Sequence, residues 1–232
     1  ILGHKLVEAG LEGEVDVTVI PLKGKFSIGP FDLELITLTH SIPEPNAIVI
    51  RTPIGTILHT GDWKFDPDPV VGDVSDEVAL AKLGKEGTLA IVCDSTNVFT
   101  NGTSGSEGDL LESLTDLIST LKGRVVITCF ASNVARLETI AAAAQANDRD
   151  VVLAGRALWR FSEVGRAHGC LQDTPSFLDE DQAGFLPRDK TLIVCTGSQG
   201  EPRAALSRIA RGIHPRVSLE DGDTVIFSSR MI

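Results

Sequence analysis

His40 and Asp62 are the residues of this sequence whose type and setting point most directly to chemistry. His40 closes the apolar run of ELITLTHSIPEP, and Asp62 closes that of TILHTGDWKFD. A neutral imidazole and a carboxylate, each emerging at a strand end, are donors that a borderline cation such as Zn²⁺ accepts. Their separation of 22 residues is no local motif and matters only if the two strands are neighbours. The alternative is a hydrogen-bonded strand-end histidine. Gly61 favours a close backbone approach beside Asp62. Two ligands complete no site, because a catalytic zinc takes three protein ligands and an open position, and a dinuclear centre takes more. Asp94 in IVCDSTN ends a third apolar run. An acid there either orients a histidine from behind or begins a turn. His59 reads as a packed strand residue, and His4, His168 and His214 as surface histidines.

A second group of residues points to anion binding. Three apolar runs end in small, polar loops where a helix is expected to begin: FASN with Ser132 and Asn133, AGRA with Arg156, and TGSQGEP with Ser198 and Gln199. Ligands of open α/β sheets bind outside the carboxyl ends of the strands, where helix N-termini offer free N–H groups. Pro202 suits a first helical position. Each loop also has a plainer reading, with Ser132 or Asn133 as an N-cap and Gly197 as a tight turn. Arg156 suits bidentate contact with a phosphate and equally a surface carboxylate.

These residues need a scaffold. From Asp16 to Asp94 the sequence reads as β-rich: VDVTVIPL, FDLELITLTH, NAIVIRTP and GTILHTG are short, β-branched and bounded by turn residues. IVIRTPIGTILHT predicts a hairpin turning at Pro53–Gly55. Ile1–Gly10 reads as the end of a helix. After Asn97 a small-residue stretch suits a linker. Helical periodicity from Ser106 to Lys122 then gives way to alternating strands and helices, which implies a parallel sheet. VSLEDGDTVIFSS predicts two short strands turning at Asp221–Gly222. The expected division is 1–99 and 100–232.

Composition narrows the function classes. The 232 residues carry 21 Lys+Arg against 32 Asp+Glu, a net charge of −11 and a pI near 4.9, so a phosphate backbone is repelled unless a local feature reverses the field. No apolar run is long enough for a membrane span, and no signal peptide opens the chain. Four cysteines without CxxC spacing read as reduced structural thiols of a cytoplasmic protein, with Cys93, Cys129 and Cys195 inside apolar runs. There is no nucleophile elbow, P-loop or dinucleotide fingerprint. Aromatics are 5% with no Tyr, which leaves no evident stacking platform.

THSIPEP, HTGDWKFD, CDSTN, TCFASN and TGSQGEPRAALSRIARG, in that order over nearly the whole chain, resemble bacterial ribonuclease J. The resemblance implies an α/β architecture: part of a metallo-β-lactamase αββα sandwich followed by a β-CASP domain with a parallel sheet. It implies that His40 and Asp62 bind metal, with Asp62 bridging, and that Asp94 supports a histidine near the scissile phosphate. It implies two Zn²⁺ ions per site, with Mn²⁺ or Mg²⁺ as alternatives, whose four positive charges ease the repulsion of RNA. Implied too are hydrolysis of RNA from a 5′-monophosphorylated end and internally, and assembly as a homodimer or homotetramer.

Where the sequence departs from that family, the departures set expectations. The His-x-His-x-Asp-His cluster is absent from these residues and is expected before Ile1, and the β-CASP histidines after Ile232. The segment alone is therefore expected to be inactive, to hold no dinuclear centre, and to leave apolar strand edges exposed in its first half. Two other readings remain: a different metallo-β-lactamase-fold hydrolase acting on DNA or small esters, and a non-catalytic α/β module that binds a nucleotide or partner protein.

Overall fold

Alternating apolar residues between Phe31 and His59 bury one face only when strands pair side by side, and the computed structural model, which describes residues 1–229, shows that pairing. The chain divides into two compact units, Ile1–Glu107 and Gly108–Ile232.

In the first unit, β1 (Lys25–Ile28), β2 (Phe31–Thr37), β3 (Asn46–Thr52), β4 (Gly55–His59) and β5 (Ala90–Val92) form one sheet in that order. The first four make an antiparallel meander, and β5 joins β4 in parallel. Parallel pairing needs a crossover. It is α2 (Glu77–Glu86), whose N-cap Asp76 accepts a hydrogen bond from the Ala79 N–H at 2.9 Å. The sequence reading had missed this helix. Its Leu83 packs on Ile36, Leu38, Ala47, Val49 and Leu58 of the sheet. The hairpin turn falls where it was expected, with Thr52 paired to Gly55. The Thr52 hydroxyl accepts from the N–H groups of Ile54 and Gly55 and donates to the Gly55 carbonyl at 3.0 Å. Thr52→Val should cost about 1 kcal/mol, the net value of such hydrogen bonds, in urea denaturation.

Two expectations fail in this unit. VDVTVIPL forms no strand: it has no ladder partner among the described residues, and Val17 and Val19 are exposed. A strand exists only through its neighbour, whatever its propensity. Cys93 is exposed rather than buried, because β5 is an edge strand whose Ile91 and Val92 also face solvent. The exposed apolar edge expected for the first half is this strand. The short α1 (Leu2–Glu8) buries none of its residues.

In the second unit, five strands run parallel in the order β10-β6-β9-β7-β8: β6 (Val125–Thr128), β7 (Asp150–Ala154), β8 (Leu178–Asp179), β9 (Thr191–Cys195) and β10 (Thr224–Phe227). Continuous apolar runs such as VVIT and TLIVC suit strands covered on both faces. Val125, Ile127, Leu153 and Val194 pack under α3 (Leu110–Ser119), α4 (Val134–Ala146) and α5 (Arg156–Ala167). Val126, Val152, Ile193 and Cys195 face α6 (Ala205–Ala210), Ala183 and Val217. Burial pushes the Cys195 thiol up to about 12, and Cys129 and Cys195 are buried as expected.

VSLEDGDTVIFSS yields one strand, β10, rather than two. The Asp223 carboxylate takes the place of the missing partner strand. It accepts from the Glu220 N–H at 2.9 Å and the Arg124 N–H at 3.0 Å.

Candidate functional site

Strands that run in one direction end at one edge of a sheet. β2 is antiparallel to β3, β3 to β4, and β5 is parallel to β4, so the carboxyl ends of β2, β4 and β5 share one end of the first sheet. His40, Asp62 and Asp94 follow those three ends. The first two are tied by an isolated antiparallel bridge between Thr39 and Lys64, with the Lys64 N–H donating to the Thr39 carbonyl at 2.9 Å. The Thr60 N–H donates to the Val92 carbonyl at 3.0 Å and joins the other two.

His40 is half-buried, and its Nδ1 lies 3.1 Å from the Ser41 hydroxyl. Asp62 is exposed and without a hydrogen-bond partner among the described residues. Asp94 accepts from the Thr96 N–H at 2.9 Å and hydroxyl at 2.5 Å. The Thr96 hydroxyl and N–H, and then the neighbouring charge of His40, hold the Asp94 carboxyl below the usual range. The donor types suit a divalent cation, but among the described residues no group of three or more His, Cys, Asp or Glu side chains is placed to hold one. These residues fit part of a coordination shell and not a whole one.

Two histidines depart from expectation. His59, expected in the core, is exposed, and its Nδ1 accepts from the Gly61 N–H at 3.1 Å. It follows the buried Leu58 on β4, and successive strand side chains point to opposite faces, so His59 points away from the face that packs on α2. His214, expected at the surface, has a side chain only 1% exposed. Its Nδ1 accepts from the Val217 N–H at 3.2 Å, and burial pushes its pKa down. Asp66 had gone unnoticed in the sequence, and its side chain is 2% exposed.

In the second unit, the loops after β6 and β9 leave the sheet towards opposite faces. β6 and β9 are neighbours, but α4 leaves the end of β6 on one face while α6 leaves the end of β9 on the other. Loops diverging in this way open a crevice at a topological switch point. Ser132 and Asn133 lie in the loop after β6, Ser198 and Gln199 in the loop after β9. Asn133 caps α4, its Oδ1 accepting from the Arg136 N–H at 2.9 Å. Ser198 is 3% exposed, and its hydroxyl has no hydrogen-bond partner among the described residues, an arrangement that costs free energy unless a ligand completes it. The Gln199 N–H already donates to the Glu201 carboxylate at 2.9 Å, and its side-chain amide lies 3.5 Å from the Ser229 hydroxyl.

The loop after β7 approaches the loop after β9 at Thr196. Gly155 has φ +127°, and a Cβ there would lie 3.3 Å from the Thr196 hydroxyl. Arg156, next to it, is exposed and makes no ion pair among the described residues. Pro202 does not open a helix. α6 begins at Ala205, because the chain first makes a turn closed by the Ala204 N–H on the Glu201 carbonyl at 3.1 Å. That loop therefore offers an unpaired hydroxyl rather than a helix N-terminus.

Residues 122–232 match the family model described as the ribonuclease J β-CASP domain. Over 94% of its length the chain is 47% identical to ribonuclease J of Sinorhizobium meliloti, covering 39% of that protein. Over its whole length it is 38% identical to ribonuclease J of Thermus thermophilus and 41% identical to ribonuclease J 1 of Streptococcus pyogenes, covering 41% of each. The chain thus spans about two fifths of the length of these relatives. The crystal structure of a protein of unknown function from Enterococcus faecalis V583 shares the fold, with a TM-score of 0.53 at 19% identity over 77% of this chain and 44% of that one. No helix among the described residues is long and apolar enough to cross a membrane. The parallel α/β unit is the one that carries the β-CASP match, the mixed sheet before it is consistent with the metallo-β-lactamase fold of ribonuclease J, and over nearly its whole length the chain is similar to ribonuclease J proteins.

Proposed function

We propose that the protein to which this chain belongs is a metal-dependent ribonuclease of the cytoplasm. It hydrolyses RNA phosphodiester bonds from a 5′-monophosphorylated end and internally, as a homodimer or homotetramer. The observation that carries this reading is the delivery of His40, Asp62 and Asp94 to one end of one sheet by three co-directional strands, in a chain 47% identical to a ribonuclease J.

In this reading His40 and Asp62 contribute an imidazole and a carboxylate to a pair of Zn²⁺ ions, or Mn²⁺ or Mg²⁺, and other parts of the protein supply the remaining ligands. Bound metal supplies a nucleophile at neutral pH and stabilises charge on the phosphoryl oxygens. Asp94, fixed by Thr96, supports a histidine near the scissile phosphate that another part of the protein supplies. In the second unit, the unpaired Ser198 hydroxyl, with Ser132, Asn133 and Gln199, accommodates phosphate oxygens, and the free guanidinium of Arg156 supplies the charge that offsets the net −11.

Removal of metal is the direct test. Full-length protein stripped with EDTA should lose cleavage of a 5′-labelled RNA and regain it on addition of Zn²⁺ or Mn²⁺. A 5′-monophosphate should be preferred over a 5′-triphosphate. Undiminished cleavage by the stripped protein would overturn the metal-dependent reading.

A further inference from the structure

We propose that Asp66 is a positioning residue whose buried carboxylate clasps the loops that carry His40 and Asp62 and the returning end of the segment that starts at Asp94. This deepens the metal-site reading above and rests on it.

The side chain of Asp62 has no partner among the described residues, so its place relative to His40 is set by the backbone that bears it. That backbone is fixed through Thr39 and Asp66. The Asp66 N–H donates to the Thr39 hydroxyl at 3.0 Å, and that hydroxyl donates to the Lys64 carbonyl at 2.5 Å. The Thr39 N–H reaches the Ser75 hydroxyl at 3.0 Å, which anchors the residue before His40 to the approach of α2.

The carboxylate then gathers everything around it. One oxygen accepts from the Asp68 N–H at 3.0 Å and the Ser106 hydroxyl at 2.5 Å. The other accepts from the Glu107 N–H at 3.0 Å and pairs with the Lys64 ammonium at 2.8 Å. Burial alone would raise the pKa of this group, but Lys64, Ser106 and the two N–H groups hold it far below the usual range. Ser106 lies 12 residues beyond Asp94, so the segment leaving β5 is tied back to the loop leaving β4. A buried charge with every lone pair engaged fixes one geometry, where an apolar contact would tolerate several.

The test uses full-length protein with Mn²⁺ alone as the probe, free Mn²⁺ being followed by electron paramagnetic resonance, alongside RNA cleavage kinetics and thermal melting. Asp66→Asn should weaken Mn²⁺ binding about ten- to a hundredfold, the usual cost of losing support behind a ligand, and lower kcat with little change in KM. Ser106→Ala removes the hydroxyl that reaches the Asp66 carboxylate and the Asp68 carbonyl and should weaken Mn²⁺ binding about three- to tenfold while the protein still folds. It decides the matter if Asp66→Asn does not fold. A change in melting temperature with Mn²⁺ affinity and kcat intact, in either folded variant, would overturn the proposal. Asp62→Ala separates the two readings: if it binds Mn²⁺ as tightly as wild type, the metal site is misassigned. If it loses Mn²⁺ and the clasp variants do not, the positioning role alone is wrong.

Discussion

Asp62→Ala in the full-length protein is expected to lower RNA cleavage by about three orders of magnitude, with little change in melting temperature. The two halves of that expectation have separate causes. Charge stabilisation and activation of water by a metal are worth several kcal/mol, and each 1.36 kcal/mol of barrier is a factor of ten in rate. Losing a carboxylate ligand forfeits a large part of that. Stability should hardly move, because Asp62 is exposed and engages no hydrogen-bond donor among the described residues, and such surface substitutions usually stay within about 0.5 kcal/mol. Asp62→Asn keeps the shape and one neutral donor oxygen, so it should fall between alanine and wild type. Cleavage within a few fold of wild type in the alanine variant would remove Asp62 from the site. A parallel collapse of the melting temperature would mean that the carboxylate serves the fold instead.

The second unit was the more legible of the two, and the reason lies in the range of the interactions. Its strands are covered on both faces, so each appears as an unbroken apolar run, as in VVIT and TLIVC. Between them the helices carry their own period, and Asn133 marks the start of α4. In the first unit the decisive partners are distant in sequence. VDVTVIPL has the composition of a strand, but nothing among the described residues pairs with it. The α2 helix was hidden because DEVALAKLGKE sits in a β-rich context, although the N-cap Asp76 was a usable signal.

The candidate sites divide along the same line. His40, Asp62 and Asp94 could be picked out because each follows an apolar run, and sheet topology then brings their strand ends together. Asp66 could not. KFDPD has no spacing that marks it, and its importance comes from Ser106 and Glu107, some 40 residues on. The unpaired hydroxyl of Ser198 likewise depends on burial by a loop whose turn delays α6 to Ala205.

Asp223→Ala should destabilise the second unit by about 3–5 kcal/mol, the usual cost of breaking a buried charge pair from one side. The carboxylate is 3% exposed and ion-paired with Arg188. It also accepts the N–H groups of Glu220 and Arg124. Without it, two backbone donors lose their acceptor at once and the Arg188 guanidinium is left with Glu220 and the Ser218 carbonyl, beside the point where the Thr224 N–H first pairs with the Arg124 carbonyl at 2.9 Å. The edge strand β10 should therefore loosen from β6, and amide exchange should rise at Thr224–Phe227 before it does in the central β9. The pH dependence follows from the direction of the shift. Burial would raise the Asp223 pKa, but Arg188 and the two N–H groups more than compensate and hold it below the ordinary value. A carboxyl whose folded pKa is depressed stabilises the fold above its unfolded pKa and loses that contribution as pH falls through the folded one. Wild type should thus lose stability on acidification below the ordinary aspartate range more steeply than Asp223→Ala. Asp223→Asn should keep part of the N–H contacts and lose the acid slope. Parallel stability–pH curves for wild type and alanine variant would show that the charge at Asp223 contributes nothing, and that packing alone holds β10 in the sheet.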